Sequence, residues 1–192
     1  MLFAVLAVPA RARLESLSLS DVNAGPGPPL AAAAGVSVSA ADVQSWKASF
    51  ESLQSLRSLS LQHCNGHDVV LAGAAAALAS GSALRNLTAL RADTLEMDDE
   101  SGSLIPLLAA HCPQLSRMHI HESGGGSRRT PGALAGLPLL SNLSDLRLQC
   151  DASWPPKDNE LAVGRCAALT RLHLTSIVRS SLHSILRSPQ LQ

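Results

Sequence analysis

Histidine, cysteine and arginine are the residues of this chain whose types and spacing could do chemistry. Two groups carry metal-ligand types: His63-Cys64-Asn65-Gly66-His67, and Cys112 with His119 and His121. A zinc site needs several such ligands converging on one point, and neither group has four at zinc-site spacing. His119 and His121 would share one face of a strand about 6–7 Å apart, while Cys112 would point into a core, away from them. Solvated histidines are the expectation, with no metal and no cofactor. No side chains fall in a nucleophile-base pattern or form a paired-carboxylate motif, and Gly124-Gly125-Gly126 lacks the following Lys-Ser/Thr of a phosphate loop. Asp98-Asp99-Glu100 reads as a solvated turn. The chain is therefore expected not to be an enzyme. Asn86-Leu87-Thr88 and Asn142-Leu143-Ser144 match the N-glycosylation acceptor pattern. Both asparagines also stand just past an expected helix, where Asn tolerates left-handed backbone, and that structural reading is preferred.

A phrase that returns along the chain would position these side chains. Leu-x-x-Leu-x-Leu, with small variations, starts at Leu14, Leu56, Leu87, Leu115, Leu143 and Leu169, at intervals of 42, 31, 28, 28 and 26 residues. Periods of this length mark stacked structural units. Successive strand side chains point to opposite faces, so Leu17 and Leu19 enter a core, Leu14 joins them from the preceding turn, and the intervening residues face out. One such strand cannot bury its leucines alone, but stacked copies make a parallel sheet over a shared leucine core. Strands are expected at 16–20, 58–62, 89–93, 117–121, 145–149 and 171–175. Their core residues are Leu59, Leu61, Leu90, Met118, Ile120, Leu146, Leu148, Leu172 and Leu174. Between them, 42–53 puts Val43, Trp46, Phe50 and Leu53 on one helical face, with Ser39 and Asp42 as a capping box. Further helices are expected at 67–80, 103–111, 131–142 and 158–167. Pro131 suits a first turn, whereas Pro106 and Pro138 fit only near a helix start or at a break. Leu53, Leu84, Cys112, Leu140 and Cys166 each stand three residues before a strand phrase.

This pattern resembles the leucine-rich repeat family over essentially the whole chain, 1–192. The family motif continues to an Asn or Cys at its ninth position. Cys64 stands there in the second unit and Asn23 one residue beyond it in the first, with Leu95, Ser123, Asp151 and Ile177 in the later ones. The period, the helical convex side and the Cys112-Pro113-Gln114-Leu115 phrase look like the ribonuclease-inhibitor and cysteine-containing intracellular types. The resemblance implies an α/β solenoid of about six repeats, with a curved parallel sheet on its concave side and helices on its convex side. It also implies a cytoplasmic protein-interaction module or scaffold whose partner binds the concave face. F-box-type substrate receptors and cytoskeletal, flagellar or cilium-axoneme scaffolds are built this way, although no F-box lies in this stretch. The alternative is an extracellular or receptor-type ectodomain that binds a ligand.

Solenoids close their ends with polar caps, and none is visible in this stretch. Ser188-Pro189-Gln190-Leu191 repeats the 112–115 phrase like the start of another unit, and the first dozen residues read as the end of a preceding convex segment. A fragment of a longer array is expected, open to self-association through its ends. The other reading of Leu2–Ala12 is a signal peptide ending at Ala10-Arg11-Ala12, against which stand the missing basic region and the short apolar run. No run approaches the ~18 apolar residues of a membrane span. A net charge of zero implies no bulk attraction to nucleic acid or membrane. Two Trp, two Phe and no Tyr are too few to stack single-stranded bases. Cys64, Cys112, Cys150 and Cys166 form no C-x-x-C pair; Cys64, Cys112 and Cys166 fall at core-facing positions as small hydrophobes, which fits a reducing compartment. Loops at 24–35, at 122–130 with Arg128 and Arg129, and at 152–159 with Trp154 interrupt the pattern.

Stacking the phrases aligns the outward residues into columns. The central column reads Ser18, Ser60, Arg91, His119, Arg147, His173. Two residues earlier it reads Ser16, Ser58, Ala89, Arg117, Asp145, Arg171; two later, Ser20, Gln62, Asp93, His121, Gln149, Thr175. With strands about 4.8 Å apart, the face is serine-rich in the first two units and basic in the last four. Cations this close repel unless an anion, or Asp93 and Asp145, relieves them. The face is either solvated surface or a partner site made of Arg91, Arg117, His119, Arg147, Arg171 and His173. Such a site would suit an acidic protein segment, more so as His119 and His173 gain protons at about pH 6.

Overall fold

The computed structural model describes residues 13–20, 40–62, 67–81, 83–92, 104–122, 134, 136–150 and 162–175. Outside them lie Leu2–Ala12, the capping position Ser39, the His63–Gly66 stretch, Asp93, Pro131, Ser188–Leu191, the ninth-position residues of the motif, and the loops at 24–35, 123–130 and 152–159.

The described elements follow the order β1 (Ser16–Ser20), α1 (Ala40–Glu51), β2 (Ser58–Gln62), α2 (His67–Ala79), β3 (Ala89–Ala92), α3 (Ile105–His111), β4 (Arg117–Glu122), a 3-10 turn (Leu137–Leu139), β5 (Asp145–Cys150) and β6 (Arg171–Thr175). The six strands form one sheet in sequential order, and every neighbouring pair is parallel. The architecture is α/β. The register aligns equivalent phrase residues: Leu59 pairs with Leu90, Leu90 with Met118, Met118 with Leu146 and Leu146 with Leu172.

Period-2 alternation sends one set of side chains inward. Leu59, Leu61, Leu90, Met118, Ile120, Leu146 and Leu148 are buried, while Leu172 and Leu174 of the edge strand β6 are half-buried against the same cluster. The first leucine of five phrases is buried too: Leu56, Leu87, Leu115, Leu143 and Leu169.

A recurring arch leads into each of the strands β2 to β6. The N–H of Leu56 donates to the Leu53 carbonyl, Leu87 to Leu84, Leu115 to Cys112, Leu143 to Leu140 and Leu169 to Cys166, at 3.0–3.2 Å. The acceptor residues are all buried, so each arch is pinned by the core below it. Hydroxyls then tie one unit to the next. Arg57 O accepts the Thr88 and Ala89 amides and the Thr88 hydroxyl at 3.0 Å. Ser116, Ser144 and Thr170 repeat this on the carbonyls of Thr88, Ser116 and Ser144.

The described segments between the strands differ in length and type. In α1, Trp46 and Phe50 are buried, with ring centroids 5.9 Å apart. Gly73 of α2 lets the two helices touch: a Cβ there would overlap the Trp46 Cβ and approach Lys47 N at 3.2 Å. Pro106 sits at the start of α3, where no intrahelical donor is lost. Of the helix expected at 131–142 the described residues show a 3-10 turn at Leu137–Leu139 with Pro138 in it, and of the one expected at 158–167 they show α-helix over 162–164. Pro138, which lacks an N–H, stands where the expected helix would need an interior donor. The left-handed backbone expected at Asn86 and Asn142 falls at neither. Among the described residues only Leu84, at φ 58°, and Gly81, at φ 71°, adopt it. Leu84 is fully buried, and its packing offsets the roughly 1–2 kcal/mol that a side chain costs there.

Candidate anion-binding face of the sheet

The strands that bury leucines on one side project Arg91, His119, Arg147 and His173 on the other. The register pairs Arg91 with His119, His119 with Arg147, and Arg147 with His173. Arg117, Asp145 and Arg171 are likewise abreast. The structure thus brings together all six residues singled out from the sequence. Arg91, Arg117, Arg147, Arg171 and His173 are exposed, and His119 is half-buried between its neighbours.

Asp145 is the feature that the column reading left in a supporting role. It is 7 % exposed, one of the few buried polar residues. Its carboxylate lies 3.7 Å from Arg147 Nε and 3.5 Å from Arg171 Nε. One carboxylate thus lies between two guanidiniums on neighbouring strands. Arg91 is oriented differently. With the Gln62 amide turned so that its oxygen faces the guanidinium, that oxygen accepts from Arg91 Nη2 at 3.1 Å and from Arg91 Nε. Gln62 holds the arginine without neutralising it. No described carboxylate pairs with Arg117.

The positive field is registered by His119. Its pKa is held below the ordinary 6.5, first by partial burial, then by the charges of Arg91, Arg147, His121 and His173. This alters the expectation of a gain in charge at about pH 6: His119 resists protonation until stronger acid or a bound anion offsets its neighbours.

The other candidate chemistries separate in space. Cys112 and Cys166 are buried free thiols; burial pushes them up to about 12 and about 11, too high for a reactive thiolate. Cys112 Sγ donates to the Leu84 carbonyl at 3.3 Å, on the core side of the sheet from His119 and His121. Among the described residues no three His, Cys, Asp or Glu side chains gather as a metal site. Asn86 Nδ2 donates to the Gln54 carbonyl at 2.8 Å and Asn142 Nδ2 to the Pro113 carbonyl at 2.7 Å. Each asparagine thus ties its unit to the preceding one through the atom a glycan would need.

No protein-family model matches the chain, and no curated protein and no solved structure matches it either. Among the described residues no helix is long and apolar enough to cross a membrane.

Proposed function

We propose that this chain is a protein-interaction module of the leucine-rich-repeat solenoid type, and that an acidic segment of a partner protein binds the outward face of its sheet. The observation that carries the reading is the register, which sets Arg91, His119, Arg147 and His173 side by side with Arg117 and Arg171 beside them. Four guanidiniums face solvent there, and Asp145 is the only described carboxylate among them. Guanidinium forks pair well with carboxylates. The buried, unreactive Cys112 and Cys166 thiols support a reducing, cytoplasmic setting. The absence of a nucleophile-base constellation from the motifs supports a binding role over a catalytic one.

The test is affinity capture of partners from a cell extract with the natural chain and with Arg117→Glu/Arg147→Glu. The double variant is expected to lose partners that the natural chain retains, and raised salt is expected to release them. An unchanged partner set would place binding elsewhere on the molecule.

A further inference from the structure

We propose that the basic half of this face receives a phosphoryl dianion, carried on a phosphorylated segment of a partner protein and seated over His119 between Arg91 and Arg147. The inference rests on the partner-binding reading above and specifies its ligand chemistry.

His119 is surrounded on its own face. Arg117 and His121 flank it along β4, about 6–7 Å away by strand geometry, and Arg91 and Arg147 flank it across the sheet, about 4.8 Å away. The guanidiniums of Arg91 and Arg147 act on the His119 imidazole from the two neighbouring strands. The charge is not balanced within the described structure. Asp145 lies between Arg147 and Arg171, Gln62 orients Arg91 as a neutral acceptor, and no described carboxylate meets Arg117. A single carboxylate from a partner would bring one charge and two oxygens. A phosphomonoester brings about −1.5 to −2 charges and three strong acceptor oxygens. It can take N–H groups from Arg91, Arg147 and the His119 ring together.

The same face narrows the source of the phosphate. Its arginines are open to solvent, so a free phosphate ion would gain few bonds and little shielding. Its described side chains are Ser, Arg, His, Asp, Gln, Thr and Ala, with no large apolar group to enter a bilayer. A polypeptide laid across β3 to β6 can add backbone and acidic contacts along the neighbouring columns. It would span about 14 Å, three strand spacings.

The experiment is fluorescence anisotropy on the full chain with a short labelled glycine-serine peptide bearing one phosphoserine, beside twins bearing serine or glutamate in its place. The phosphoserine peptide is expected to bind about tenfold tighter than the glutamate twin, with no measurable binding of the serine twin. Arg91→Gln is expected to weaken it about tenfold, and Arg165→Gln, away from this face, to leave it unchanged. Thermal melts of both variants should match the natural chain, since both side chains are exposed. Equal binding of the glutamate twin would overturn phosphate recognition and leave the acidic-partner reading standing. So would failure of all three peptides while Arg117→Glu/Arg147→Glu still loses captured partners. Inorganic phosphate, or vesicles of phosphatidylcholine with a phosphoinositide, competing as strongly as the phosphopeptide would overturn the protein source.

Discussion

The β1–β2 end of the sheet and the β4–β6 end share a backbone plan and differ in what they show to solvent. Both pair in parallel with phrase residues in register, and both bury leucines beneath. Outward, the first end presents Ser16, Ser18, Ser20, Ser58 and Ser60; the second presents Arg117, His119, Arg147, Arg171 and His173. Serines need no counterion and load the sheet with no charge. The arginines do, and Asp145 is buried between two of them. The inward columns thus set the architecture at both ends, while the outward columns are free to vary. Among the described outward columns the arginines and histidines, and with them the proposed anion site, lie at one end.

The largest effect should come from the shared core. Leu146→Ala removes a side chain that is 0 % exposed and is expected to cost about 2–5 kcal/mol. Leu17→Ala at the serine end removes a half-buried leucine and should cost less. Chemical denaturation of the two variants compares them, and equal losses would show that the ends are not packed differently. Gly73→Ala attacks the helix contact behind the serine end. Its methyl would overlap Trp46, for an expected loss of about 1–3 kcal/mol and a lower melting temperature.

Asp145→Asn sharpens the electrostatic contrast. It leaves Arg147 and Arg171 without their shared carboxylate, and should lower stability by about 1 kcal/mol, more at low salt. The same change should tighten binding of the phosphoserine peptide, so stability and affinity move in opposite directions. A variant that weakens both would show that Asp145 orients the arginines for the ligand.

The smallest effect is the pH dependence. His119 has a folded pKa below its unfolded 6.5, so below that value the unfolded chain binds a proton the folded chain refuses. Its contribution is fully present above pH 6.5 and is lost as pH falls through the folded pKa. His119→Gln should flatten the fall in stability on acidification. A slope identical to that of the natural chain would assign it to other groups.

The amino-acid sequence by itself determined the strands, their register, the buried columns and the outward ones. Side-chain alternation along a strand is a local rule, and a repeated phrase stacks equivalent positions whatever lies between. That is why Arg91, His119 and Arg147 could be placed abreast from spacing alone. The Ser/Thr column that bonds each unit to the preceding carbonyl was also on view, as Thr88, Ser116, Ser144 and Thr170, but its meaning required knowing which carbonyl lay opposite. Tertiary structure decided the rest. It set a 3-10 turn at Leu137–Leu139, within a stretch that reads as helix, and the left-handed turn at Leu84 rather than at Asn86. It also buried Asp145 between two arginines and pressed His119 among four charged or titratable neighbours. Each of these depends on groups brought close from units roughly 26–30 residues away or on packing against the core, and no local pattern reports such distances.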